Sequence, residues 1–219
     1  MVLPPDPTLD EIRAALAPAI AANAGFDGWS DAALILAAQA EGVDTDVARL
    51  AFPGGAIDMI DAWFAGVDAA MLAALPPEKL ATMKIREKIT ALVEARLALL
   101  APRRESLRRA LAMLAMPTNL VRAARLGWRA ADLMWHAAGD TATDYNHYSK
   151  RTILAGVYGA TVTVLVNDES EGHAETSAFL ARRIEGIMRF EKTKAQLIGR
   201  TSHRPSLTRF ISRLRYPAS

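Results

Sequence analysis

The chain has no cysteine in 219 residues. Disulfides, thiolate zinc sites, iron–sulfur clusters and a thiol nucleophile are thereby excluded. Long apolar runs are missing too, and none approaches the roughly 18 residues a membrane-spanning helix needs. None of the four histidines (His136, His147, His173, His203) has a glutamate three positions before it. That excludes the Glu-x-x-His pairs of a carboxylate-bridged di-iron bundle. Gly-x-x-x-x-Gly-Lys, Gly-x-Ser-x-Gly and Gly-x-Gly-x-x-Gly are all lacking, so the common phosphate, acyl-transfer and dinucleotide signatures are absent. A non-enzyme without metal or cofactor is the expectation. The competing catalytic reading, an acid–base pair of Asp144 and His147, has only an i,i+3 spacing behind it.

Positive charge is scarce in one region and abundant in another. Residues 1–80 hold three Lys/Arg (Arg13, Arg49, Lys79) against twelve Asp/Glu, and residues 181–219 hold ten against two. The net charge of +2 conceals this polarity. An acidic head and a basic tail are suited to different partners. The N-terminal stretch MVLPPDPTLDEIRAAL has no basic n-region and no apolar h-region. The expected location is cytoplasmic, or the matrix side in a mitochondrion.

What is present is helix-forming. Hydrophobic residues make up 51% of the chain, enough for a sizeable core, and alanine and leucine dominate. Leu9, Ile12, Leu16 and Ile20 share one helical face. Ser30 suits an N-cap for a helix over 31–41, and Asp44 or Thr45 suits one over 46–51. Ile57, Ile60, Phe64, Val67 and Met71 mark a fourth helix ending at Leu75-Pro76-Pro77. Further helices are predicted over 80–100, 105–116, 119–138, from Thr141 or Thr143 to Val166, over 172–198 and over 207–216. Thr161–Val166 has strand-like composition but continues a helical pattern. The fold class is all-α, in three parts: 1–53, 54–199 and 200–219.

The first part has the layout of a helix-turn-helix. Gly25-Phe26, Ser30, Ala37-Ala38, Gly42-Val43 and Phe52-Pro53 resemble the N-terminal domain of TetR-type repressors. A transcriptional regulator with a ligand-sensing pocket is therefore the alternative function. Electrostatics argue against it, because phosphate neutralisation supplies most non-specific DNA affinity. The reading-helix segment Asp44-Thr45-Asp46-Val47-Ala48-Arg49-Leu50-Ala51-Phe52 offers one arginine and two aspartates, with no cluster for base edges. No nucleic-acid partner is expected.

The most specific stretch is Gly139-Asp140-Thr141-Ala142-Thr143-Asp144-Tyr145-Asn146-His147-Tyr148-Ser149-Lys150-Arg151. On a helix, Asp144 with Tyr148 and His147 with Arg151 are i,i+4 neighbours, giving a polar–aromatic face. Asp132-Leu133-Met134-Trp135-His136-Ala137-Ala138 precedes it, and Asp168-Glu169-Ser170, Phe179-Leu180 and Arg183-Ile184 follow. Together these resemble the ubiquinone (coenzyme Q) biosynthesis accessory proteins, the ninth gene family of that pathway, over most of residues 75–195. Two positions depart from that pattern: His147 stands at the usual tryptophan, and Ser177 where an aromatic is common.

The resemblance implies a TetR-like helical bundle, homodimeric and non-catalytic, with a lipid pocket. It implies binding of an isoprenoid quinone precursor or phospholipid and its presentation to the di-iron demethoxyubiquinone hydroxylase. Asp144, Tyr145, Asn146, His147 and Tyr148 would form the partner-docking patch near the pocket mouth. Arg151 would face the head group, where a guanidinium fork suits phosphate. Met134, Trp128, Trp135, Tyr148 and Tyr158 would join it around the lipid. The small and methionine side chains of 80–166 suit such a lining, and they suit an ordinary tight core as well.

The tail carries its own signal. Leu207, Phe210, Ile211 and Leu214 follow i, i+3, i+4, i+7, with Arg204, Arg209 and Arg213 mostly on the other side. A short basic amphipathic helix of this kind suits attachment to a membrane surface, expected on the inner face of the cytoplasmic membrane. The alternative is a helix folded back on the body.

Overall fold

The computed structural model describes residues 4–140 and 145–201, with side chains at 4–140 and 147–187. Every regular element among them is helical: α1 (Leu9–Asp27), α2 (Asp31–Glu41), α3 (Thr45–Ala51), α4 (Ala56–Ala74), α5 (Pro77–Ala81), α6 (Ile85–Leu100), α7 (Arg104–Leu114), α8 (Leu120–Ala137), α9 (Tyr145–Asn167) and α10 (Ala174–Thr201). Short 3-10 turns precede α7, α8 and α10. The chain divides into two compact units at Leu180/Ala181. Neither sequence boundary, 53/54 or 199/200, coincides with that division.

The caps explain the early boundaries. Thr8 and Glu11 form a reciprocal capping box at the start of α1. Ser30 caps α2, and Asp44 accepts from the backbone N–H of Asp46 and Val47 at the start of α3. Gly42, at φ +69°, ends α2 in the left-handed conformation that favours glycine. α1 runs through Gly25-Phe26 to Asp27. The break comes at Gly28, where φ is +72°.

One expected helix is two. The stretch 80–100 splits into α5 and α6, with Lys84 extended between them (φ −72°, ψ 157°). The Lys84 N–H donates to the Glu87 carboxylate at 2.8 Å, which starts α6 afresh. Lysine is a poor N-cap, so composition conceals this start. The strand-like run 161–166 lies inside α9. There the Thr161 and Thr163 hydroxyls donate to carbonyls four residues back, at 2.7 and 3.0 Å, which accommodates threonine within a helix.

The helix-turn-helix layout is built into the first unit. α1 buries Ile12, Leu16, Ile20 and Ala24 and packs on α2, α4 and α7. The Ser106 hydroxyl on α7 donates to the Ala21 carbonyl at 2.6 Å, and the Trp29 indole N–H donates to the Ser106 carbonyl at 3.0 Å. Trp29 packs at a tilt against Trp63 (5.4 Å between centroids), and Trp63 stacks on Phe64 (5.2 Å). Offset aromatic contacts of this kind add to burial. They run from the α1–α2 loop toward the centre of the bundle.

Candidate functional site

An open groove of about 420 Å³ lies in the first unit. Leu111 and Leu114 of α7, Leu120, Ala123, Leu126 and Gly127 of α8, and Ala155, Tyr158, Gly159 and Val162 of α9 line it, with Phe64 of α4 and Arg96 of α6. The space stays open where α8 and α9 place Ala123, Gly127, Ala155 and Gly159 in positions that larger side chains would fill. A Cβ added at Gly127 or Gly159 would meet nothing within 4 Å. The volume falls within the range of small-molecule sites, roughly 300–1,000 Å³.

Polar groups at the groove are few and paired. Arg96 is only 2% exposed. Its guanidinium contacts the Asp68 carboxylate, its Nε donates to the Tyr158 hydroxyl at 3.0 Å, and its carbon lies 5.1 Å from the Tyr158 ring centre. Arg129 approaches Asp68 at 3.4 Å and pairs also with Asp61. Two guanidinium groups thus face two carboxylates. A buried charge survives only with such a partner.

Of the six residues expected around the lipid, Tyr158 lines this groove. Met134 is fully buried in the core. The half-buried Trp135 donates its indole N–H to the Lys150 carbonyl at 3.1 Å, and the Lys150 ammonium sits 5.3 Å from its ring centre. Arg151 corrects the sequence reading. It is fully buried, its Nε donates to Asp132, and its Nη1 donates to Asp140 and to the His147 carbonyl, both at 3.2 Å. Lys150 also binds Asp140, at 2.8 Å. Burial opposes ionisation of Asp140, but the hydrogen bonds from Lys150 and Arg151 outweigh it and hold the carboxyl below its usual range. Arg151 therefore ties the start of α9 to α8 through Nε and Nη1, and burial, which also encloses its unpartnered Nη2, keeps the fork from an exposed head group.

The aromatic part of the central motif does come together. Trp128 of α8 lies 6.0 Å from Tyr148 and 6.5 Å from His147, and His147 meets Tyr148 edge-on at 5.1 Å. Tyr148 is 61% exposed, so the cluster presents a ring to solvent. His147 takes the place of the expected tryptophan as one of three clustered rings. Asp144 lies outside the described residues, and so do the side chains of Tyr145 and Asn146. Arg204, Leu207, Arg209, Phe210, Ile211, Arg213 and Leu214 lie outside them as well.

Sequence reasoning missed Arg96, Asp68 and Phe64 at the groove. Arg96 had a signal, a lone arginine on the otherwise apolar face of Leu92, Val93, Leu97 and Leu100. Asp168, singled out only as part of a motif, is a structural anchor. It is 1% exposed and accepts from the hydroxyl and N–H of both Ser170 and Thr176. Those bonds, Ser170's first, hold its carboxyl far below the ordinary range. They also fix the turn into α10.

The supposed reading helix keeps no available cation. Arg49 pairs with Asp31 at 2.9 Å and with Asp46 at 3.0 Å. Among the described residues no group of three or more His, Asp or Glu side chains could hold a metal ion. No helix among them is long and apolar enough to cross a membrane.

Comparison with known proteins agrees with this architecture. A solved TetR transcriptional regulator from Nitrosomonas europaea superposes with a TM-score of 0.64 at 24% identity, covering 80% of this chain and 96% of that one. At that identity the likeness concerns the fold, which is TetR-like. The COQ9 family profile matches residues 120–191, the stretch holding α8, the aromatic cluster and α9. The bovine mitochondrial ubiquinone biosynthesis protein COQ9 is 32% identical over 177 residues, 78% of this chain and 55% of that protein. The rat protein is 40% identical over 105 residues, 48% of this chain and 34% of its own length. The chain thus spans between about a third and just over half of these relatives. With the matching motif, fold and relatives in agreement, the chain belongs to the COQ9 family.

Proposed function

We propose that this protein is a non-catalytic lipid-binding factor of ubiquinone biosynthesis. In this reading it holds an isoprenoid quinone precursor in the groove between α7, α8 and α9. It presents that molecule to the di-iron demethoxyubiquinone hydroxylase from the face carrying Trp128, His147 and Tyr148. The observation that carries the reading is the groove itself, open, apolar and about 420 Å³. A space of that kind in a well-packed bundle sacrifices contacts unless a guest supplies them. The names of the relatives support the pathway.

Attachment to a membrane completes the proposal. Residues 204–216 provide the basic amphipathic stretch, and each arginine near anionic lipid contributes about 1 kcal/mol. Met116, Leu120 and Val121 are 50%, 54% and 65% exposed, a second apolar surface adjoining the α8 end of the groove. A homodimer is part of the same reading and is checked by analytical ultracentrifugation.

Native mass spectrometry with lipid extraction tests the central point. Bound isoprenoid or quinone is the expected result, and its absence from protein purified without detergent would refute the reading. Regulation of transcription remains the alternative because of the TetR-like fold. Tight, strongly salt-dependent duplex binding in a gel shift would favour it. Arg49, already neutralised by Asp31 and Asp46, argues for no such binding.

A further inference from the structure

The groove is mostly apolar, and its one buried polar pair has selective chemistry. The Tyr158 hydroxyl accepts from Arg96 Nε at 3.0 Å. An oxygen that accepts this bond has its own proton left to donate, and Tyr158 lines the groove. Thr163, the other hydroxyl at the lining, donates instead to the Gly159 carbonyl of its own helix. Tyr158 is therefore the polar handle of an otherwise greasy cavity. It is 8% exposed, so a bond made there competes little with water.

Charge decides which acceptor fits. Arg96 contacts Asp68, and Arg129 reaches both Asp68 and Asp61. The guanidinium beside Tyr158 is already matched by carboxylate. An anionic head group would meet Asp68 behind Arg96 and find no unbalanced positive charge, while losing its own hydration. A neutral carbonyl oxygen needs only one donor. Phe64 and the Tyr158 ring offer flat apolar surface beside that donor, which suits an aromatic or quinoid ring.

We propose that Tyr158, held by Arg96, is the head-group anchor of the groove. It donates a hydrogen bond to a neutral ring carbonyl, so the quinoid ring enters first and the chain trails toward the open side. The proposal rests on the lipid-binding reading above and assigns orientation and selectivity to that same site.

The test uses the purified full chain and three probes sharing one alkyl chain: an alkyl benzoquinone, the corresponding alkylbenzene and the alkyl phosphate. Isothermal titration should rank the quinone tightest. Tyr158→Phe should weaken the quinone roughly tenfold, the worth of one net hydrogen bond, and leave the alkylbenzene unchanged. An infrared measurement on the wild type is independent of that variant's folding. The carbonyl band of bound quinone should move to lower frequency than in alkane. Unchanged quinone affinity in Tyr158→Phe, an unshifted carbonyl band, or tighter binding of the alkyl phosphate would each overturn the anchor while the groove reading stands. Failure of the wild type to bind any of the three would overturn the groove reading, and the anchor with it.

Discussion

Filling the groove from its own walls separates binding from folding. Gly127 on α8 and Gly159 on α9 both line it, and both have open space where a Cβ would lie. The double substitution Gly127→Leu, Gly159→Leu places two isobutyl groups in the cavity without a clash at either Cβ. Glycine within a helix costs close to 1 kcal/mol relative to alanine, and leucine costs little, so each change contributes about 0.7 kcal/mol of added helix stability. The sum, about 1.4 kcal/mol, corresponds to a rise in Tm of roughly 3–6 °C for a chain of this size. The expected outcome is a more stable protein that binds no lipid. Differential scanning calorimetry reads the first half, and lipid extraction with mass spectrometry the second. A stable double variant still carrying the wild-type amount of lipid would refute the groove as the site. A variant that melted well below the wild type would refute the claim that the space is empty by construction.

Other outcomes follow from the buried polar groups and the exposed ring. Arg151→Met should leave Asp132 and Asp140 without their buried guanidinium and cost roughly 3–5 kcal/mol, read by urea unfolding. A loss under 1 kcal/mol would mean that the α8–α9 tie is unimportant. Asp168→Asn should destabilise the protein at neutral pH, with the difference from wild type shrinking as pH falls. The sign follows from its depressed folded pKa. Its contribution is present in full above the unfolded value, near 3.9, and is lost as pH drops through the lower folded value. A difference independent of pH between 6 and 2 would contradict this. Tyr148→Ala, at a ring 61% exposed, should change Tm by less than about 2 °C and weaken co-purification of the hydroxylase. Retained co-purification would remove the aromatic cluster from the docking surface. Deleting 204–216 should abolish binding to anionic liposomes in a sedimentation assay, and undiminished binding would reassign the membrane contact.

Local chemistry sufficed for the helices whose ends are written in short signals. Ser30, Asp44, Gly42 and the prolines announce their caps directly, because a cap depends on neighbours within four residues. Where an end depends on an unusual partner, composition is silent. Lys84 starts α6 only because Glu87 reaches back to it. The central motif was legible as a family signature, and its rings do cluster.

Arg151 shows where sequence reading stops. Its type and helical spacing suit a phosphate clamp, and nothing local reveals that Asp132, nineteen positions earlier, will meet it in the core. Whether a guanidinium is available to a ligand depends on which carboxylates the fold brings alongside. Arg96 is the converse, an arginine on an apolar face, which folding places beside Asp68 and Tyr158 at the groove. The amino-acid order alone determined the all-α character, the acidic head, the basic tail and the family, because these rest on composition and near neighbours. The cavity, its walls of glycine and alanine, and the pairing of its buried charges were decided by tertiary packing, since empty space and ion pairs arise only between elements distant in the chain.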